Sequence, residues 1–374
     1  MKDSKQTYLE ETKSKVFETL STFEDMNLDK NKFCVMPFVN IILEPTGDVG
    51  ICRHKGTEFT FGNIRNQTID EIWSSPKVQA WRKGHLDGNA QVCKTELVDR
   101  KCNLCPELNT LLADAEITNI KNPKILRLTA NLNGKCNLQC QMCHVWKLPN
   151  GFYTEENFWI PARERFFKDI LEVDMLSGEP FIQSDTYRLI DEVVSVNPEC
   201  QWTFTTNLHW KLTEEIKQNL DKIIIKNIIT SIDSLDEVTY KKIRYPGKLS
   251  FVLSNLDSMI EYQSERVLKQ LSKLNIRVHF LIQKDNWMEV KEMIAFCFEK
   301  KVTPFISFLY EPESFCLLDF SQDERIKMLN YYFDNLNKEE LLLIQRILKP
   351  LIRSLDKLEY AQYLNLFHEK ITNE

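Results

Sequence analysis

Three cysteines fall within the eight residues "CNLQCQMC", Cys136 to Cys143, spaced C-x3-C-x2-C. Thiolates are the ligands that iron-sulfur groups and zinc take up, and their number and spacing narrow the choice. Three are an incomplete set for a four-cysteine cluster or a closed tetrahedral zinc site. A cubane [4Fe-4S] cluster held by three leaves one iron with an open position, which can chelate a small molecule through amino and carboxylate groups and pass it an electron. Two blander uses compete. His144 could complete a zinc site, although it directly follows Cys143 and such adjacent spacing suits a closed site poorly. Cys140 and Cys143 form a C-x-x-C redox pair, which leaves Cys136 unexplained.

Five further cysteines, Cys34, Cys52, Cys93, Cys102 and Cys105, precede this loop, the last two as C-x2-C. Cys200, Cys297 and Cys316 stand singly in apolar or aromatic surroundings and read as ordinary buried thiols. The opening "MKDSKQTYLEETKSK" is charged and lacks the apolar run of a signal peptide, and no window is long and apolar enough to span a membrane. A cytoplasmic location is therefore expected, where thiols serve metals or cores better than disulfides. The formal charge of -6 comes from 54 acidic and 48 basic residues mixed along the chain, with no basic block to suggest nucleic-acid binding.

The 374 residues suffice for one large α/β domain plus something smaller. We expect a polar lead-in over 1–30, a small cysteine-bearing unit over 31–110, an α/β domain over 111–318 and C-terminal helices over 319–374. In the small unit, "FVNIILEPTGDVGIC" reads as a β-hairpin with Cys34 and Cys52 at its ends. "TIDEIW" opens a helix capped by Thr68 and Glu71, which ends by Gly84. A unit of this size buries little surface, and a metal centre would staple it.

From "ILRLTA" onward, short apolar strands alternate with amphipathic helices, as in a parallel sheet wrapped by helices. Strands are expected at "VDMLSGEP", "QWTFTTN", "KNIITSIDS", "IRVHFLIQ" and "VTPFISFLY". "PARERFFKDILE" reads as a helix with Pro161 in its first turn and an apolar stripe of Phe166, Phe167, Ile170 and Leu171. Six such repeats fit a partial or complete barrel, and the tail after Gln322 reads as two or three helices. The cysteine loop follows a strand end, where parallel sheets place their active sites.

"CNLQCQMC" resembles the C-x3-C-x-Φ-C signature of the radical S-adenosylmethionine (radical SAM) enzymes, with Met142 as Φ. "LSGEP" resembles that family's G-G-E-P loop, with Ser177 in place of the first glycine, followed by Gly178, Glu179 and Pro180. "TTN" and "SID" resemble polar strand ends of the same enzymes, making Asn207, Ser231 and Asp233 cofactor contacts, with Gln283 in a similar rim position. Turn formation or capping is the alternative for Asn207 and Asp233. The resemblance implies a partial (β/α)6 TIM-like barrel in which Cys136, Cys140 and Cys143 hold a [4Fe-4S] cluster. On that cluster, S-adenosyl-L-methionine is reductively cleaved to a 5'-deoxyadenosyl radical, with electrons from a low-potential donor such as flavodoxin or ferredoxin.

"GDVGIC", "FGNI" and "TIDEIWSSPKVQAWR" resemble the auxiliary-cluster domains called twitch or SPASM, here placed before the barrel. The resemblance implies a second [4Fe-4S] cluster on Cys34, Cys52, Cys102 and Cys105, with Cys93 spare or exchanging. Zinc, or a purely structural role, are the alternatives. The leading functional expectation is oxidation, cross-linking or maturation of a peptide. A dehydrogenase or rearrangement enzyme acting on a carbohydrate, nucleoside or other small metabolite is the second, and a non-catalytic iron-sulfur electron carrier the third.

Overall fold

The computed structural model describes residues 34–52, 60–87, 123–149, 151–154 and 156–372. They divide into two compact units. The first holds the described residues up to Asn133, with Pro149–Asp174 and Asp191–Cys200; the second holds Gly134–Leu148, Met175–Ile190 and the chain from Gln201 onward. Cys93, Cys102 and Cys105 lie outside the described residues. The strands make a mixed, mostly parallel β-sheet flanked by helices.

In the first unit, β1 (Asn40–Leu43) and β2 (Asp48–Gly50) form the expected hairpin, paired Ile42 to Gly50 and Leu43 to Val49. Gly47 turns the chain at φ +81°, and a side chain there would also strike the Phe152 ring. β3 (Gly62–Asn63) adds antiparallel to β2, and β4 (Arg127–Ala130) adds parallel to β1. All four β1 residues are buried between two neighbours, the apolar Ile41, Ile42 and Leu43 by packing and Asn40 with its Nδ2 bonded to the Ile51 carbonyl.

The Thr68–Glu71 capping box forms as expected, but the helix stops at Trp73. Ser75 caps a second helix, Pro76–Leu86, with Pro76 in its first turn, so Gly84 lies inside a helix and ends none. Arg82 ties this helix to the hairpin side by donating from Nε to the Pro37 carbonyl at 2.7 Å.

Two further expectations change in this unit. Helix Glu156–Ala162 starts ahead of Pro161, which lies within it and is followed by a π-helical turn, Arg163–Phe167. A proline inside a helix has no N–H to give, and the wider turn comes where the regular ladder is interrupted. Phe166, Phe167 and Ile170 are buried, whereas Leu171 is 54% exposed because the helical register ends before it.

β5 (Glu172–Met175) leads from the first unit into the second. In the second, β6 (Gln201–Thr206), β7 (Ile224–Ser231), β8 (Ile276–Ile282) and β9 (Thr303–Phe308) run parallel in that order. Helices Glu214–Asp221, Glu237–Ile243, Leu249–Leu268 and Val290–Glu299 connect them. Trp202, Phe204, Ile228, Val278, Phe280 and Ile306 line the buried face of these strands.

Arg266 is wholly buried and donates to the carbonyls of Leu220, Ile223 and Ser272. It thereby satisfies the open end of helix Glu214–Asp221 where β7 begins. The tail forms four helices, Gln322–Asn335, Lys338–Leu343, Gln345–Arg353 and Lys357–Thr372, instead of two or three. Asn337 builds a capping box that starts a new helix where the pattern alone reads as continuous. Among the described residues no helix is long and apolar enough to cross a membrane.

Candidate active site

Every described candidate around the three-cysteine loop lies in the second unit. The loop doubles back on itself: a side chain on Gly134 would stand 2.6 Å from the Val145 carbonyl. Two backbone bonds strap it to the segment after helix Glu237–Ile243, from Gln139 N to the Tyr245 carbonyl (2.6 Å) and from Gln141 N to the Ile243 carbonyl (2.9 Å). Cys136 and Cys140 are half-buried and Cys143 is exposed.

The "SGEP" loop packs on the start of the cysteine loop. Gly178 adopts φ +60°, and an added Cβ would lie 2.3 Å from the Lys135 carbonyl oxygen, so both conformation and space demand glycine. Glu179 N and Gln183 Nε2 donate to that same carbonyl at 3.0 and 2.9 Å. Pro180 starts a short 3-10 turn. Ser177 Oγ is buried without a hydrogen-bond partner.

Glu179 is fully buried and accepts three bonds: from Phe181 N and Thr206 Oγ1 at one oxygen, and from Asn207 N at the other. Burial lifts its pKa to about 7, while these donors and the Arg244 charge pull the other way. The carboxylate thus pins the end of β6. Thr206 Oγ1 in turn accepts from Leu208 N and Trp210 Nε1, and Asn207 Oδ1 accepts from His209 N, holding Leu208 at φ +56°. Asn207 Nδ2 reaches Asn137 Oδ1 at 2.9 Å and Cys136 Sγ at 3.6 Å. Asn207 therefore forms a turn and also faces the first cysteine.

Asp233 is also fully buried. Its Oδ1 accepts from Leu281 N (2.9 Å) and its Oδ2 from Arg244 Nε (2.7 Å). Arg244 Nη1 lies 3.9 Å from Cys140 Sγ. Burial lowers this guanidinium's affinity for its proton, but Asp233, Cys140 and Tyr240 outweigh it and raise that affinity overall. Ser231, nearly buried, closes β7 two residues earlier. Gln283 has no exposed surface; its Oε1 accepts from Gln141 Nε2, and its own Nε2 is buried without a partner. Gln141 also donates to Asp285, and Met142 is half-buried beside it.

The thiols fit a polynuclear group. Burial pushes Cys136 up to about 11, with Glu179 and the neighbouring thiols adding to the effect, and burial raises Cys140 too, against the pull of Arg244. Thiols this reluctant to ionise become good ligands when bound iron supplies the compensating charge. N–H donors already point at the sulfurs, from Leu138 and Asn207 to Cys136 and from Arg244 to Cys140, as around iron-sulfur groups. Among the described residues no three His, Cys, Asp or Glu side chains close around a single-ion position, and exposed His144 does not complete one. Cys34 and Cys52 are half-buried in the first unit.

Thr206, Gln141, Arg244 and Asn286, whose Nδ2 donates to the Asp233 and Leu281 carbonyls, escape sequence reasoning. Arg244 follows a helix capped by Asp236 and precedes "YPG", a helix-stop signal that marks its position without its partner.

Comparison with known proteins matches two families along the chain. Residues 131–297 match the Radical SAM superfamily, and residues 34–106 match SPASM, an iron-sulfur cluster-binding domain. The chain is 24% identical over 177 residues to a probable GTP 3',8-cyclase of Methanocaldococcus jannaschii, covering 46% of this chain and 55% of that protein. It is 28% identical over 145 residues to a GTP 3',8-cyclase of Clostridium botulinum, covering 37% and 44%. It therefore spans about half the length of these curated relatives. Among solved structures it is similar to Streptococcus suis SuiB bound to precursor peptide SuiA, at 15% identity and TM-score 0.43, covering 80% of this chain and 68% of that one.

Proposed function

From a chain that carries a radical SAM superfamily domain behind an iron-sulfur SPASM domain, we propose an enzyme that abstracts hydrogen from a nucleoside or other small metabolite by radical chemistry. The two domains imply binding of S-adenosylmethionine and of one or two iron-sulfur clusters. Strands β4 to β9 are read as the six strands of a partial barrel over 111–318, with the auxiliary domain over 31–110 and the helical region over 319–374.

When bound, a [4Fe-4S] cluster with S-adenosylmethionine supplies reductive cleavage of the sulfonium to a 5'-deoxyadenosyl radical. The protein's part is to hold, orient and exclude. Cys136, Cys140 and Cys143 hold the cluster. Gly178 lets the "SGEP" backbone lie against the cysteine loop, and Glu179 fixes that loop to β6 instead of reaching for a ligand. Ser177 Oγ and Gln283 Nε2 are among the buried polar atoms without a partner and are assigned to the cofactor, with Met142, Pro180, Asn207 and Ser231 completing the wall. Asp233 acts by orienting Arg244 toward Cys140. Cys34, Cys52, Cys102 and Cys105 are assigned to an auxiliary [4Fe-4S] cluster, with Cys93 in reserve, and a flavodoxin or ferredoxin type of protein to electron delivery.

The observation that carries this reading is the set of unpartnered buried groups, Ser177 Oγ, Gln283 Nε2 and Tyr240 Oη, on segments bonded to the cysteine loop. The peptide substrate expected first from the sequence gives way to a metabolite, because the curated relatives matched are GTP 3',8-cyclases. The test is anaerobic reconstitution, counting iron and sulfide and measuring 5'-deoxyadenosine. About eight irons for two such clusters, with 5'-deoxyadenosine formed under a strong reductant, support the proposal; iron bound without any cleavage of S-adenosylmethionine rejects it.

A further inference from the structure

A parallel sheet is ordinarily covered on both faces, and in the second unit one face is only partly covered by the described residues. Phe204, Ile228, Thr230, Val278, Phe280 and Ile306 are buried to within a few per cent. The alternate residues Thr205, Ile229, His279, Leu281, Phe305 and Ser307 stay half-exposed. Register places Ser231, His279 and Phe305 in one row across β7, β8 and β9, with Leu281 beside Ser307 in the row above. Such a face can serve as one wall of a ligand site.

His279 is the functional group of that wall. It stacks on Phe305 (centroids 4.9 Å apart, planes 29°), and its Nε2 is bonded to Ser307 Oγ. Nδ1 has no partner among the described residues. Burial holds the imidazole down to about 4, with Arg244 and Arg277 adding to the effect and Asp233 opposing it, so the ring is neutral at neutral pH. Two residues further along β8, roughly 7 Å, Leu281 N bonds Asp233, whose partner Arg244 touches Cys140. This wall is thus continuous with the cysteine site.

We propose that His279, backed by Ser307 and Phe305, receives a hydroxyl of the substrate, and that the substrate presents a neutral, hydroxyl-bearing ring, as the sugar of a nucleoside does. A neutral imidazole nitrogen donates or accepts according to its tautomer, and a hydroxyl can answer either way. Leu281 offers apolar surface that the C–H face of a sugar ring covers; the row of Ser231, His279 and Phe305 holds no carboxylate, and the cation beside it, Arg277, is laid over the Phe305 ring at 4.5 Å. This inference rests on the radical-enzyme reading only for where the reaction takes place.

The test uses the full chain, reconstituted and loaded with S-adenosylmethionine, with guanosine, uridine, D-ribose and a short Gly-Ser peptide as probes followed by saturation-transfer NMR and calorimetry. Nucleoside affinity is expected to fall about tenfold in His279→Phe, the loss of one buried hydrogen bond, and less in His279→Gln and Ser307→Ala. Iron content and S-adenosylmethionine affinity stay constant. Should His279→Phe fail to fold, Ser307→Ala and His279→Gln carry the test. Nucleosides and ribose that do not bind, binding indifferent to every one of these changes, or peptide binding as the His279-dependent event would each overturn the inference. Nucleoside binding through His279 in a protein that cleaves no S-adenosylmethionine would sustain it and sink the radical reading alone.

Discussion

The first unit and the cysteine loop of the second both carry thiols, yet the protein positions them in different ways. Cys34 and Cys52 flank a helix and a hairpin built from short pieces, with paired strands four and three residues long, short capped helices and a buried Asn40 bonded to the Ile51 carbonyl, to which β4 and Pro123 add ties from farther along the chain. Cys136 and Cys140 are placed by distant parts of the chain, from Asn207 at 71 residues' separation to Arg244 at 104. A site assembled from several strand ends keeps its geometry through the sheet, whereas a small unit with little core leans on what its cysteines bind. The cluster loop is therefore expected to keep its shape without metal, and the auxiliary unit to depend on it.

The change that tests this contrast most severely is Cys140→Ala. Cleavage of S-adenosylmethionine should be abolished and about four irons lost, while the thermal unfolding of the iron-free protein stays close to that of the parent. Cys102→Ala should instead remove the auxiliary iron, lower stability and leave uncoupled cleavage measurable. If Cys140→Ala collapses the fold while Cys102→Ala leaves it intact, the comparison is reversed.

Gly178→Ala comes next. The new methyl group meets the Lys135 carbonyl in a left-handed backbone conformation, so the two loops must part. A loss of about 3 kcal/mol is expected, along with S-adenosylmethionine affinity weakened about tenfold or more. Unchanged binding by calorimetry would remove the "SGEP" loop from the cofactor site. Glu179→Gln is gentler: the amide keeps the shape but faces Phe181 N, Thr206 and Asn207 N with one acceptor oxygen in place of two, at a cost of about 2 kcal/mol. Denaturant unfolding should show it, and a neutral result would mean that the end of β6 is held by Thr206 and Asn207 alone.

Acidification probes the wall that carries His279. His279 binds its proton less readily when folded, at about 4 against an ordinary 6.5, so the unfolded chain takes up the extra proton first. Its contribution is complete above about pH 6.5 and is lost as pH falls toward 4, amounting to about 3 kcal/mol at most. A pH series of thermal unfolding should lose part of its acid slope in His279→Gln; an identical slope in both would place the titration elsewhere.

The difference between the regions is also a difference in legibility. The hairpin, the Thr68 cap and the alternation of strands and helices are local patterns, and the cysteine spacing is a local motif, so all can be read along the chain. The contacts that make the cysteine loop a site are not local: nothing near Arg244 announces Asp233 or Cys140, and Thr206 reads as one more strand threonine until Glu179 is packed against it. His279 shows why alternation alone is not enough. The pattern of "IRVHFLI" tells which residues share a face, but whether that face is covered or open depends on the elements laid over it. Pro161 and Leu171 went astray for the opposite reason, since a helix boundary that shifts by a turn moves every residue of the stripe.

The smallest expected effect sharpens the contrast from the N-terminal side. Thr68 accepts from Glu71 N and caps the five-residue helix Ile69–Trp73, from which Ile72 is buried and Trp73 bonds the Pro123 carbonyl. Losing one such cap costs about 1 kcal/mol. In a unit built from short elements, that is a large share of its stability; in one clamped by a bound cluster, it is masked. Thr68→Ala should therefore shift the unfolding of the iron-free protein by a few degrees and shift the reconstituted protein much less, with cleavage of S-adenosylmethionine unaffected in either case. Equal shifts with and without iron would show that the cluster and the capped helix do not support each other, and the auxiliary unit would then owe its stability to its own small core.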